Sequence, residues 1–150
     1  MKYWLMKCEP GAYSIDDLAR DKSTSWEGVR NYQARNFMRE MKKGDKVLFY
    51  ASNADPSGVT GVAEVVREAY PDRFATQKGH TYYDPKATDE DPIWSMVDIG
   101  YKAKLAHIVP LETLKEAPGL ENMVVTKKGS RLSIQPVTKS EFDIVVKLGR

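Results

Sequence analysis

Cysteine is almost absent. The chain of 150 residues holds only Cys8, so no internal disulfide can form, and the composition suits a reducing compartment. Histidine is scarce too, with only His80 and His107. Without Cys-x-x-Cys or a closely spaced histidine pair, a zinc site has nothing to build on. A Cys–His nucleophile is arithmetically possible. Yet Cys8 lies in the strand-like stretch "YWLMKC", where a cysteine serves as a small hydrophobe. No glycine-rich phosphate loop of the Walker or dinucleotide type occurs. The acidic run "DED" reads as a surface loop before it reads as a metal site. No metal and no cofactor are expected. No apolar run is long enough to cross a bilayer. The opening "MKYWLMKCEP" resembles a signal peptide only briefly: Lys7 and Glu9 interrupt it, and no small-residue cleavage site follows. A cytoplasmic protein without a membrane partner is expected. Neither charge sign dominates. Lys and Arg number 23 against 21 Asp and Glu, a net charge of +2, so any footprint for a polyanion must be local.

What is present fits a folded globular chain: 41% hydrophobic and 29% charged residues, enough for one domain over 1–150 with a sizeable core. A monomer is expected. "YWLMKC" reads as a first strand. "SIDDLAR" reads as a short helix, with Ser14 as N-cap and Asp17 three residues on. Residues 21–30 read as a loop. From Asn31 a 3.6-residue period places Ala34, Phe37, Met38 and Met41 on one face, with Arg35, Arg39 and Lys42 on the flank, until Gly44. "KVLFYAS" and "VTGVAEVVREAY" read as strands. Gly58 and Gly61 mark a bend or bulge. The proline-punctuated stretch 71–93 reads as a long surface loop, and "WSMVDIGYKAKLAHIV" as another strand. "PLETLKEA" and "PGLEN" read as short helices. Thr138 with Glu141 makes a capping box, and Val137 with Phe142 a hydrophobic staple, for a last helix. The sum is an α+β fold of about five or six strands, bent by glycines into a barrel-like sheet with helices outside.

The stretch "WEGVRNYQARNFMREMKK" raises the functional question. Asn31 opens a helix whose free N–H groups and dipole favour an anion. Arg30 precedes it, Arg35 follows one turn later, and Arg39, Lys42 and Lys43 extend the charge. Trp26 offers a flat face for a base. The plainer reading is an amphipathic helix with a solvated flank and a core tryptophan. Ser52 and Asn53, at the end of a strand, can hydrogen-bond a base edge or simply make a turn. Trp94 can form a second wall or pack a loop. Arg131 and Gln135, in "RLSIQPV", are a further polar contact or a solvated connection.

Taken together, "YWLMKCEP…YSIDDL", "WEGVRNYQARNFMR", "KGDKVLFYASN", "GVAEVVREAYPD", "YYDPK", "WSMVDI" and "RLSIQPV…EF" resemble the EVE domain end to end. One departure is Cys8, where the family block has serine. The resemblance implies a PUA-like bent β-barrel with flanking helices. EVE domains are similar to YTH domains, which read a methylated adenine in RNA through an aromatic cage. By that analogy Trp26 is a pocket wall, Ser52 and Asn53 lie near the base edge, and Trp94 falls where a second cage tryptophan stands. The implied function is non-catalytic recognition of a modified base in DNA or RNA, with Trp26 stacking and Asn31, Ser52 and Asn53 at the base edge. Arg30 and Arg35 then hold phosphates, with Arg39, Lys42, Lys43 and Arg131 more peripheral. Two alternatives stand beside it. One is an enzyme acting on modified nucleosides through Glu9 or Asp98. The other is a protein-interaction module with an exposed apolar patch.

Overall fold

The computed structural model describes residues 1–128 and 132–150, so Arg131 lies outside the described residues. The elements run β1 (Tyr3–Cys8), α1 (Ile15–Asp21), β2 (Ser23–Ser25), α2 (Tyr32–Glu40), β3 (Lys46–Ala51), β4 (Gly58–Pro71), β5 (Ser95–Pro110), α3 (Leu111–Glu116), β6 (Ile134–Val137) and α4 (Lys139–Leu148). Short 3-10 turns occupy Arg73–Thr76 and Val124–Thr126. The described strands form one sheet in the order β2-β5-β4-β3-β1-β6. β1 and β3 pair in parallel, which their crossover through α1 and α2 permits; the other pairs are antiparallel.

Alternation along the central strands makes two cores. Trp4, Met6, Val47 and Phe49 face α1 and α2, joined by Leu18, Ala34, Met38 and Met41. Leu5, Leu48 and Tyr50 face the other way, against Leu114 of α3 and Val145 of α4. The caps hold as the sequence implies. The Ser14 and Thr138 hydroxyls accept from the N–H groups of Asp17 and Glu141, whose carboxylates bond back to the cap residues.

Register shifts between β3, β4 and β5 bend the sheet, but among the described residues it stays open, with β2 and β6 at its edges, so the barrel is incomplete. Phe49 pairs with Gly61 and Tyr50 with Val59, which leaves Thr60 as a bulge. A Cβ on Gly61 would lie 2.5 Å from the Ile15 side chain and 2.8 Å from the Ala103 carbonyl, so the close approach of α1 and β5 requires glycine there.

Four local readings need correction. Residues 21–30 are not all loop: Ser23–Ser25 form the edge strand β2 against Asp98–Gly100, too short to leave a periodic signal. "PGLEN" is a pair of turns rather than a helix, with Gly119 at φ +92°. α2 stops at Glu40, before Gly44, which turns the chain into β3 at φ +98°. The stretch "IQPV", read as part of a connection, is strand β6 beside β1. Gln135 is buried in it and donates to the Leu132 carbonyl at 2.8 Å.

Candidate nucleic-acid interface

A cavity of about 380 Å³ opens just before α2. Its walls are the end of β1 (Lys7, Cys8), the loop leading into α1 (Tyr13), β2 (Thr24, Ser25), the segment 26–30, and Tyr82 and Ser133 from loops. The segment 26–30 is built to be rigid. The Trp26 N–H donates to the Val97 carbonyl at 2.7 Å, and the indole packs edge-on against Phe49 at 5.8 Å. Trp26 is 9% exposed, so it is both core and cavity wall. Gly28 sits at φ +84°, and a Cβ there would fall on the Tyr82 ring. Only glycine serves both demands.

Asp72 ties this segment to the long loop. It is fully buried and accepts from the Gly28 N–H at 2.9 Å, the Phe74 N–H at 3.0 Å and Arg30 Nη1 at 3.1 Å. Arg30 also donates to the Tyr82 carbonyl at 2.6 and 3.2 Å. Its guanidinium lies 5.6 Å from the Tyr82 ring centre and 5.4 Å from that of Trp94. Arg30 therefore reaches the cavity, but its charge is already engaged.

Trp94 does not line the cavity. It is buried, donates its indole N–H to Asp84 at 2.7 Å, and stacks on Tyr32 at 4.8 Å. That indole bond, then the Lys86 N–H, holds the Asp84 carboxyl below the usual carboxylate range. Asn31 spends its side-chain oxygen capping Ala34 N–H at 2.9 Å. Arg35 and Arg39 both donate to the Ile93 carbonyl, at 3.1 and 2.8 Å, and Arg39 also reaches Ser95 Oγ at 3.0 Å. Ile93 has φ +61°, rare for a β-branched residue. The flank expected to hold phosphates thus also clamps the long loop, although a guanidinium with five N–H groups keeps donors to spare. Lys42 and Lys43 are exposed beyond the far end of α2.

Ser52 and Asn53 lie past the end of β3, outside the cavity lining. The Ser52 N–H donates to the Cys8 carbonyl at 3.0 Å, and Asn53 donates to Glu9 at 2.8 Å. Neither Glu9 nor Asp98 lines the cavity. Asp98 accepts from the Tyr70 hydroxyl at 2.5 Å. Burial first, then that carboxylate, pushes Tyr70 up to about 12. Burial, then the Glu9 charge, raises the Cys8 thiol, which keeps it protonated and a poor nucleophile. Among the described residues no group of three or more His, Cys, Asp or Glu side chains could hold a metal. No described helix is long and apolar enough to cross a membrane.

Sequence reasoning did not single out Lys7, Ser25, Glu27, Gly28, Tyr82 or Ser133 as lining. Glu27 and Gly28 sat inside the quoted "WEGVR". Tyr82 arrives from a loop 52 positions beyond Arg30, whose guanidinium donates to its carbonyl, and no local pattern announces that contact.

A mixed sheet flanked by helices, with a cavity between a helix mouth and a braced loop, defines an α+β module. The EVE domain model matches residues 2–148, and the chain belongs to that family. Thymocyte nuclear protein 1 of Homo sapiens is 44% identical over 165 residues, covering 97% of this chain and 73% of that protein. Among solved structures, a Pseudomonas syringae protein superposes with TM-score 0.95 at 43% identity, covering 99% of each chain. The human THYN1 protein in complex with 5-methylcytosine containing DNA superposes with TM-score 0.91 at 42% identity, covering 100% of this chain and 98% of that one.

Proposed function

We propose that this protein is a non-catalytic nucleic-acid-binding module that recognises a modified base, held in the cavity beside Trp26. The observation that carries the reading is the cavity itself. It is about 380 Å³, within the range of roughly 300–1,000 Å³ typical of small-ligand sites, and it combines Trp26 and Tyr82 with Lys7, Arg30 and hydroxyl groups. The human relative solved with 5-methylcytosine DNA supports a nucleic-acid ligand and makes DNA the first strand to try. The target base leaves its stack and enters the cavity. Unstacking costs a few kcal/mol, which aromatic contact at roughly 1–3 kcal/mol per base largely offsets. Cations near the rim, including the spare donors of Arg35, steady the flanking phosphates.

The test is a tryptophan-fluorescence titration with short oligonucleotides, modified and unmodified, DNA and RNA, at two salt concentrations. Selective quenching by one modified base, weakened in Trp26→Phe while the fold persists, is the expected result. No response from any oligonucleotide at low salt would overturn the reading.

A further inference from the structure

Glu27 is the one carboxylate that lines the cavity among the described residues. It stands between Trp26 and Gly28, on the segment pinned by Asp72 and Val97. One of its oxygens, Oε2, accepts from the Ser25 hydroxyl at 2.6 Å. Ser25 belongs to β2, whose pairing with Asp98 fixes its position. The hydroxyl therefore orients the carboxylate from a strand. The other oxygen carries no hydrogen bond among the described residues. The remaining charged groups of the lining, Lys7 and Arg30, are cations that only donate.

A carboxylate held this way is a fixed acceptor at a ligand-sized aromatic site. It favours a donor on the ligand edge that faces it. Nucleobases offer such an edge as an exocyclic amine: N4 of cytosine, N6 of adenine. A carbonyl at the same place would set two acceptors against each other, with the carboxylate left unpaired. We propose that Glu27 selects bases bearing an exocyclic amine and rejects their keto counterparts, with Ser25 as the residue that positions it. This rests on the base-reading function proposed above. It adds a chemical class of ligand and the residue that imposes it.

Two isosteric pairs test it. 5-Methylcytosine and thymine share the 5-methyl group and differ by amine against carbonyl at C4, with the linked change of N3 from acceptor to N–H donor. Adenine and hypoxanthine differ in the same way at C6. Oligonucleotides identical except at one such position are titrated into the wild type, Glu27→Gln and Glu27→Asp. The wild type binds the amino member of one pair about ten- to a hundredfold more tightly, the range of a good base-edge contact; which pair responds separates a pyrimidine site from a purine site. A side-chain amide can donate as well as accept, so Glu27→Gln binds the keto member better and loses most of the discrimination. Glu27→Asp shortens the reach and also lowers the preference, which keeps the test valid if Glu27→Gln fails to fold. Binding by the wild type with equal affinity for both members of each pair would sink the selection while leaving the base-reading function standing. Discrimination undiminished in both variants would remove Glu27 from the role. Absence of any binding by the wild type would overturn the base-reading function, and this proposal with it.

Discussion

At the scale of single residues, Trp26 and Gly28 hold the fold and line the cavity at once. The two duties can be separated by choice of substitution. Trp26→Ala empties a wall of the first core and costs about 3–5 kcal/mol, as large aromatic truncations do, so loss of binding there reports unfolding as much as stacking. Trp26→Phe keeps a ring against Phe49 and costs less. Thermal unfolding run beside the oligonucleotide titration should show a modest fall in Tm with a larger fall in affinity. Gly28→Ala meets two penalties. A non-glycine residue at φ +84° costs about 1–3 kcal/mol, and the new Cβ displaces the Tyr82 ring. Adding Tyr82→Ala should relieve the steric part and leave the backbone part. In urea unfolding, Gly28→Ala is therefore less destabilising in the Tyr82→Ala background than in the wild type.

Among the elements, the decisive one is the long loop 71–93, and its order depends on polar anchors rather than on a core of its own. Ala75, Ala87 and Trp94 make only a small cluster. Asp72 gathers Gly28, Arg30 and Phe74, while Arg35 and Arg39 seize the Ile93 carbonyl. Asp72→Ala strands a half-buried guanidinium and two N–H groups, a loss of about 3 kcal/mol. The loss should fall on this loop before the sheet. Limited proteolysis ought then to cut within 73–93 far faster than in the wild type while circular dichroism changes little; equal cutting rates would show that the loop stands without its anchor. This dependence also explains what was legible in the sequence. α2, its Asn31 cap, both capping boxes and the long strands follow from periodicity and local chemistry, which act within a few residues. β2 has three residues and borrows its order from β5. The contact of Tyr82 with Gly28 spans a loop. The Arg30–Asp72 pair depends on tertiary placement. The aromatic and basic segment before α2, singled out in the sequence, lines the cavity. The withdrawal of Trp94 into packing against Tyr32 could not be read there, because it is decided by a residue far away along the chain.

Over the whole molecule, charge bears on acid stability and on the proposed binding. Asp45 is buried, which by itself would raise its carboxyl. The N–H groups of Lys42 and Lys2, the Trp4 indole and the N-terminal ammonium outweigh burial and hold it below the usual range. A carboxyl whose folded pKa is depressed contributes stability that is present above its unfolded value, about 3.9, and is lost as pH falls through the folded value. Asp45→Asn should cost about 1–3 kcal/mol at neutral pH and flatten the acid limb of a stability–pH curve; an unchanged limb would assign acid unfolding to other carboxylates. Binding turns on a different balance. With a net charge of only +2, the protein has no general pull on a polyanion, so the proposed binding draws on local cations, and the rim and the exposed lysines beyond α2 are the candidates. Each phosphate neutralised on duplex DNA steepens the plot of log K against log salt by about 0.9. If Lys42 and Lys43 touch the backbone, Lys42→Gln and Lys43→Gln should each reduce the slope by about 1 and weaken modified and unmodified strands equally, since a phosphate contact carries no base information. Slopes identical to the wild type in both variants would make that end of α2 a solvated face and confine recognition to the cavity and its rim.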